Sequence, residues 1–323
     1  MPKPPIVWAL HDGKPGMASQ ALGLAEALHF PVVEKRLAVR APWRHLPPQL
    51  WLRPFAALSG EGDRLEPPWP DIVIGCGRNS VALARAVKRA SGGVTFWAQV
   101  QDPHFARHMI DLMVAPAHDR ADGANVVRTC GAVHRVTAEK LALGGARFAH
   151  LLAALPRPLI AVLLGGSNRA YRVTRERAEA LAAQLEAVAN QGYGLAITPS
   201  RRTDPEIIAL LRKRLEGPGL YLWDGSGDNP YLGLLACADA VAVTADSVSM
   251  VSEAAATGKP VYVIDLAGGS AKFDRFHRAM RAAGITRPFG GQIEAWRYDP
   301  LDDTARAAAE IRRRFALRAA KAK

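Results

Sequence analysis

Cysteine is scarce in this chain. Its 323 residues hold three, Cys76, Cys130 and Cys237, with no C-x-x-C and no paired spacing. That excludes a disulfide framework, and each thiol, set in or beside an apolar run, reads as a buried reduced side chain of a cytosolic protein. Also missing is any uninterrupted apolar run of about eighteen residues, so no membrane span is expected. Met1–Leu10 is too poor in apolar residues for a signal peptide and leads straight into a strand, which predicts a cytoplasmic protein, at most peripheral at the inner membrane. No aromatic-interleaved basic motif, zinc finger or helix-turn-helix appears, so nucleic acid is not expected as a partner. No repeat of about 20 to 50 residues and no low-complexity tract organises the chain.

What is present fits a soluble, enzyme-sized protein. Apolar residues make up 49% and charged residues 22%, enough for a large core, and the length suggests two domains. The net charge is +12, and the basic residues are dense at Lys35–Arg53 and Arg306–Lys323. Phosphorylated small ligands or an anionic membrane surface suit such a balance, although a basic composition produces it without any partner.

Asp239–Asp265 (DAVAVTADSVSMVSEAAATGKPVYVID) is the most informative stretch. Its apolar run Asp239–Val243 is long enough for one buried strand. A small polar turn with Thr244, Asp246, Ser247 and Ser249 follows, then a helix capped by Ser247 that carries Glu253 and stops at Gly258, then the strand Val261–Ile264. A βαβ unit places such a turn at the carboxyl ends of parallel strands, where helix N–H groups face an anion. The stretch therefore reads as a phosphate- or nucleotide-binding element, with simple capping as the alternative.

The same alternation runs through the rest of the chain. Strand Ile6–Leu10 meets the loop His11-Asp12-Gly13-Lys14-Pro15-Gly16 and a helix. A second strand covers Pro31–Val39, and a third, Asp71–Ile74, runs into Gly75-Cys76-Gly77-Arg78-Asn79-Ser80, with Asn79 or Ser80 as cap of the next helix. Neither turn is a dinucleotide fingerprint and no Walker pattern exists. His11 or Asp12 can serve as a general base at the strand end, or Asp12 can simply stabilise the turn. Pro42–Leu58 reads as a helical piece whose Trp43, Trp51 and Phe55, flanked by Arg44 and Arg53, suit either a membrane surface or packing on their own domain. After Pro156 and Pro158 the alternation restarts with Leu159–Leu164 and Gly165-Gly166-Ser167. The fold class expected is α/β, with two Rossmann-like doubly wound domains, 1–154 and 155–323, and a final helix 301–318 packing back toward the first.

Two such domains, each with Gly-rich turns facing a cleft, resemble GT-B glycosyltransferases. The strings LLGGS and CADAVAVTADSVSMVSEAAATGKPV are similar to MurG-type transferases of cell-wall synthesis. A closer resemblance is to the family of the plant mitochondrial-fission protein, elongated-mitochondria type, and its bacterial relatives. It is carried by DGKPGMASQALGLAEAL, GGS, TPSRRT (Thr198–Thr203), DNPY (Asp228–Tyr231) and TADSVSMVSEAAATGKPV. The resemblance implies a nucleotide sugar or nucleoside diphosphate held mainly by the second domain. Gly165, Gly166, Ser167, Ser200, Arg201, Arg202, Thr244, Asp246, Ser247 and Ser249 would meet its phosphates. Glu253 resembles the carboxylate that binds donor ribose. Gly13, Lys14, Gly16, Gly77 and Asn79 would line the amino-terminal side of the cleft, with His11 and Asp12 as catalytic candidates. No Asp-x-Asp occurs, so neither metal nor other cofactor is expected; cations and helix dipoles would stabilise the leaving diphosphate. The acceptor loop G-x-G-G-H of MurG is missing. Two alternatives to sugar transfer stay open, a non-catalytic recruitment protein on the same fold and a nucleoside-diphosphate-sugar epimerase.

Overall fold

A computed structural model describes residues 3–321. Its contacts divide the chain into two compact units, unit 1 running to Arg135 and resuming at Asp302, and unit 2 spanning Val136–Leu301.

Unit 1 begins with β1 (Val7–His11), α1 (Pro15–Glu26), β2 (Val32–Arg36), β3 (Ile72–Cys76), α2 (Arg78–Ala90), β4 (Phe96–Val100), β5 (Leu112–Pro116) and β6 (Val126–Thr129). The strands form one parallel sheet in the order β2-β1-β3-β4-β5-β6. β1, β3, β4 and β5 are buried along their whole length, as strands covered on both faces must be, whereas the edge strand β2 carries Glu34, Lys35 and Arg36. Alternate residues sort to two faces: Val7, Ala9, Ile72 and Ile74 pack with Leu24 of α1, while Trp8, Leu10, Val73 and Trp97 pack with Val81 and Leu83 of α2.

Pro42–Leu58 is not one helix. It folds as three short 3-10 turns, Trp43–His45, Pro48–Leu50 and Pro54–Ala57, because Pro47, Pro48 and Pro54 lack the N–H a continuous helix needs. Trp51 is 1% exposed and donates from Nε1 to the Leu46 carbonyl, and Phe55 stacks on Trp69. Of the two readings of this segment, Trp51 takes packing on its own domain and not insertion into a headgroup layer. The proline turns fold that ring into the core of unit 1.

Unit 2 opens with α3 (Ala138–Leu152), β7 (Leu159–Leu164), β8 (Tyr171–Arg172), α4 (Arg175–Asn190), β9 (Gly194–Pro199), α5 (Pro205–Arg214) and β10 (Leu220–Leu222). It continues with α6 (Tyr231–Cys237), β11 (Ala240–Thr244), α7 (Val248–Ala255), β12 (Val261–Ile264), β13 (Ala267–Gly268), α8 (Ala271–Ala282) and β14 (Thr286–Pro288). Thr137, Thr174, Asp204, Ser247 and Ser270 cap α3, α4, α5, α7 and α8 with their side chains. Six strands form a parallel sheet, β10-β9-β7-β11-β12-β14, the doubly wound dinucleotide-fold order counted within the unit. β8 and β13 make a separate antiparallel pair.

The division falls before α3 rather than at residue 154. α3 lies against α6 at glycine contacts: a Cβ on Gly144 would stand 2.8 Å from Leu232 Cβ, and one on Gly233 would stand 2.6 Å from Phe148 Cβ. Only bare backbone allows that approach. The last helix, α9 (Asp303–Lys321), belongs with unit 1. Asp303 accepts from the N–H groups of Cys130 and Gly131, both at 2.8 Å, and Ala307, Ala308 and Ile311 enter the core beside α1. Its arginines are more than a solvated face, since Arg312 donates to the Ala27 carbonyl and Arg314 to that of Ala124.

Candidate functional site

In unit 2 the strand order reverses between β7 and β11, and the turns that follow these strands meet there. Ligands of open α/β sheets bind outside the carboxyl ends of strands at such a reversal. The two turns are held together by one carboxylate. Asp246 accepts from the Thr244 hydroxyl at 2.7 Å, the Gly166 N–H at 3.1 Å and the Arg202 guanidinium at 2.7 Å. Gly165 donates its N–H to Thr244 Oγ1 at 2.7 Å, and the Thr203 hydroxyl donates to the Gly165 carbonyl at 2.5 Å. Asn168 closes the cluster by donating to the Asp246 carbonyl at 3.3 Å.

The consequence for the expected phosphate ligands is direct. Gly165 and Gly166 are buried, and their N–H groups serve an internal acceptor rather than an incoming anion. A Cβ on Gly165 would lie 2.0 Å from Asp246 Oδ1, and one on Gly166 would lie 1.9 Å from the Arg202 carbonyl oxygen. These glycines are there so that the strand end can close on the carboxylate. Arg202 spends its charge on Asp246, Ser200 accepts from the Arg202 N–H, and Ser167 accepts from the Val173 N–H.

Beside that cluster lies the start of α7, the turn that the sequence pattern assigns to an anion. Ser247 caps the helix by accepting from the Met250 N–H at 3.2 Å, and Ser247, Val248 and Ser249 are all partly exposed. The helix dipole adds partial positive charge at this end. Arg201 is exposed. Glu253, one turn into α7, is buried and accepts from the Tyr231 hydroxyl at 2.6 Å. Burial, reinforced by the Glu253 charge, pushes the Tyr231 hydroxyl well above its ordinary pKa, so it stays a donor. Composition offered no signal for Tyr231 beyond the string DNPY; its role follows from α6 bringing it against α7.

Unit 1 has its own reversal, between β1 and β3. His11 is 2% exposed, accepts at Nδ1 from the Gly13 N–H at 3.1 Å, and meets Glu34 through Nε2 at 2.9 Å. With Nδ1 accepting, Nε2 carries the proton and donates. Both nitrogens are engaged in holding the turn, so in this structure neither offers the open lone pair a base uses. Asp12 pairs with the Lys14 ammonium. Gly13 at φ +77° and Gly77 at φ +85° take left-handed turns that favour glycine. Gly16 accepts from Gln20 within α1, and Gly77 occupies the cap position of α2, so neither Asn79 nor Ser80 caps it; the Ser80 hydroxyl donates to the Gly77 carbonyl instead. Burial, then the Asp12 charge, pushes the Cys76 thiol far above its ordinary pKa, which leaves it inert.

A family model described as mitochondrial fission ELM1 matches residues 15–315 of this chain. The mitochondrial fission protein ELM1 of Arabidopsis thaliana is 34% identical over 276 residues, covering 77% of this chain and 65% of that protein's own length. Among solved structures, the UDP-GlcNAc 2-epimerase of Methanocaldococcus jannaschii in complex with UDP-GlcNAc and UDP superposes with TM-score 0.56 at 11% identity, covering 95% of this chain and 98% of that one. The spinosyn forosaminyltransferase SpnP superposes with TM-score 0.52 at 14% identity, covering 98% and 95%. The fold is thus α/β with two parallel sheets, of the GT-B class that epimerases and glycosyltransferases share.

Proposed function

Because the chain belongs to the mitochondrial fission ELM1 family and carries a GT-B-like fold, we propose that it binds a nucleoside diphosphate or nucleotide sugar at the carboxyl edge of the unit 2 sheet. The observation that carries this reading is the Ser247-capped start of α7 opening at the β7/β11 reversal, with the half-buried Tyr231 paired to the buried Glu253 one turn behind it. In this reading the α7 N–H groups and Arg201 meet the diphosphate, and Glu253 meets the ribose hydroxyls. Asp246, Thr244, Arg202 and the two glycines do not touch the ligand; they hold the turns that present α7. The Methanocaldococcus epimerase of this fold is in complex with UDP-GlcNAc and UDP, and that supports the ligand class.

The diphosphate is met by a guanidinium and a helix start, so no metal is invoked. EDTA should leave the affinity unchanged in calorimetry, and a loss of binding that Mg²⁺ restores would reject this part. The reading is tested by titrating UDP, GDP, CDP, ADP and their sugar conjugates into the protein. At least one should bind one-to-one, and Arg201→Ala should weaken it about tenfold, the usual effect of losing a charge-assisted hydrogen bond.

Binding without turnover is the second reading, favoured by the engagement of both His11 nitrogens. Hydrolysis or transfer of a bound sugar nucleotide that His11→Ala abolishes would overturn it in favour of catalysis; tight binding without turnover would support it.

A further inference from the structure

A cavity of about 570 Å³ lies in unit 2 between α8 and the ends of β12 and β14, and the nucleotide reading leaves it unused. Asp274, His277, Arg278 and Arg281, spaced three and four apart, bring one face of α8 onto it. Tyr171 and Val263 contribute apolar wall, and the Tyr171 ring is steadied edge-on by Phe273 at 5.0 Å.

The floor is polar and unsatisfied. His277 Nε2 stands 2.8 Å from the Ala245 carbonyl oxygen. A carbonyl only accepts, so Nε2 bears the proton and Nδ1 is a lone pair. That Nδ1 is buried with no hydrogen-bond partner, and so is the Thr286 hydroxyl; His277 is 8% and Thr286 3% exposed. Buried polar atoms without partners are uncommon enough that two on residues lining one cavity ask for a ligand. Burial also holds the imidazole below its ordinary pKa, so it is a neutral acceptor at pH 7.

The rim carries charge of both signs. Arg278 and Arg281 are exposed and in no ion pair among the described residues, Arg278 only donating from Nε to the Asp274 carbonyl at 3.3 Å. Asp265 is held by Arg177 at 3.2 Å, while the Asp274 carboxylate remains an exposed acceptor.

We propose that this cavity binds a small hydroxylated organic anion, a sugar phosphate or a sugar acid, whose hydroxyl donates to His277 Nδ1 and whose anionic group meets Arg278 and Arg281. A neutral sugar would leave the two guanidiniums unused. An amino acid would set its ammonium beside a buried neutral imidazole, and burying that charge costs far more than burying a hydroxyl that finds an acceptor. Inorganic phosphate would not reach the floor while bound at the rim. A cavity of this volume falls within the range of small-molecule sites. The nucleotide reading rests on α7, whereas this site rests on α8 and β14, so the two stand or fall separately.

The test uses the full chain in thermal-shift and calorimetric titrations with glucose 1-phosphate and glucuronate, against glucose, inorganic phosphate and glutamate. Either or both of the first two should bind, which separates the sources of the anion, and the three controls should not. Arg278→Gln with Arg281→Gln should weaken binding about tenfold or more. Thr286→Val should weaken it about fivefold while leaving the ligand-free melting temperature unchanged or higher, because a methyl replaces a hydroxyl that had no partner. Failure of both sugar anions to bind, equal binding of phosphate alone, or wild-type affinity in Thr286→Val would each overturn the proposal. So would displacement of the sugar anion by UDP, since the two ligands would then share one site. Binding of the sugar anion by a chain that binds no nucleotide would uphold this site and reject the nucleotide reading.

Discussion

The Asp246 side chain is fully enclosed, yet its carboxylate accepts from a hydroxyl, a backbone N–H and a guanidinium. Removing it strands the Thr244 hydroxyl and the Gly166 N–H in a buried setting. Asp246→Ala should therefore cost about 2–4 kcal/mol in urea unfolding, and Asp246→Asn less, because the amide keeps the shape and one acceptor oxygen. A loss below about 0.5 kcal/mol would mean the cluster is not a structural clamp. The polar content of Thr244–Ser249 was legible from residue types, but the direction each side chain takes was not. The sequence reading sent Thr244, Asp246 and both glycines toward a ligand, whereas folding turns them inward on one another. His277 offers a pH test. Burial lowers its folded-state pKa below the ordinary 6.5, so as pH falls through 6.5 the unfolded chain takes the proton first. Stability that is full above that pH is lost below it. Between about pH 7 and pH 5, wild type should lose more stability than His277→Gln, and equal losses would contradict the assignment.

At the scale of elements, the strands and most helices follow from short apolar runs bounded by Gly, Pro and capping residues. β7, for instance, occupies the Leu159–Leu164 span read from the sequence. α3 and α6 are harder to read. α6 has seven residues, and α3 carries Gly144 and Gly145, which weaken a helix on their own and make sense only in the close contact between the two. The end of α6 is secured from outside itself, since the Lys259 ammonium donates to the Leu235 and Ala236 carbonyls at 2.8 and 2.6 Å. Lys259→Met should cost about 1–3 kcal/mol by unfolding, as two hydrogen bonds from a charged donor are lost near a helix C-terminus. Pro42–Leu58 needs a changed expectation. With Trp51 buried, the large apolar side chains it exposes are Leu46, Leu50 and Leu52, at 38%, 58% and 95%, beside the exposed Arg44 and Arg53. Association with an anionic membrane surface is proposed on these residues, each basic one contributing about 1 kcal/mol. Wild type should co-sediment with anionic vesicles at low salt, and the Leu50→Ser, Leu52→Ser protein should not. Wild-type protein left in the supernatant would reject the idea.

For the whole molecule, two parallel doubly wound sheets could be inferred because βα alternation restarts after Pro156 and Pro158. The exact division could not, because α3 precedes the restart and its partner α6 lies some eighty positions later, a pairing no local pattern records. Among the described residues no helix is long and apolar enough to cross a membrane. Family membership is settled by a match over residues 15–315. Activity is a separate matter, since one fold serves many chemistries and the site must decide. In unit 2 the site we propose is the start of α7, presented by the Asp246 clamp and backed by Glu253. The most direct measurement is isothermal titration calorimetry of the nucleoside diphosphate panel into wild type and Glu253→Gln, with circular dichroism to confirm that the variant is folded. Nucleotide binding at α7 predicts one-to-one binding of at least one diphosphate to wild type and an affinity about tenfold weaker in Glu253→Gln, the loss of a charged hydrogen-bond acceptor for ribose. No heat of binding from any diphosphate at millimolar concentration, or equal affinity in the folded variant, would contradict it.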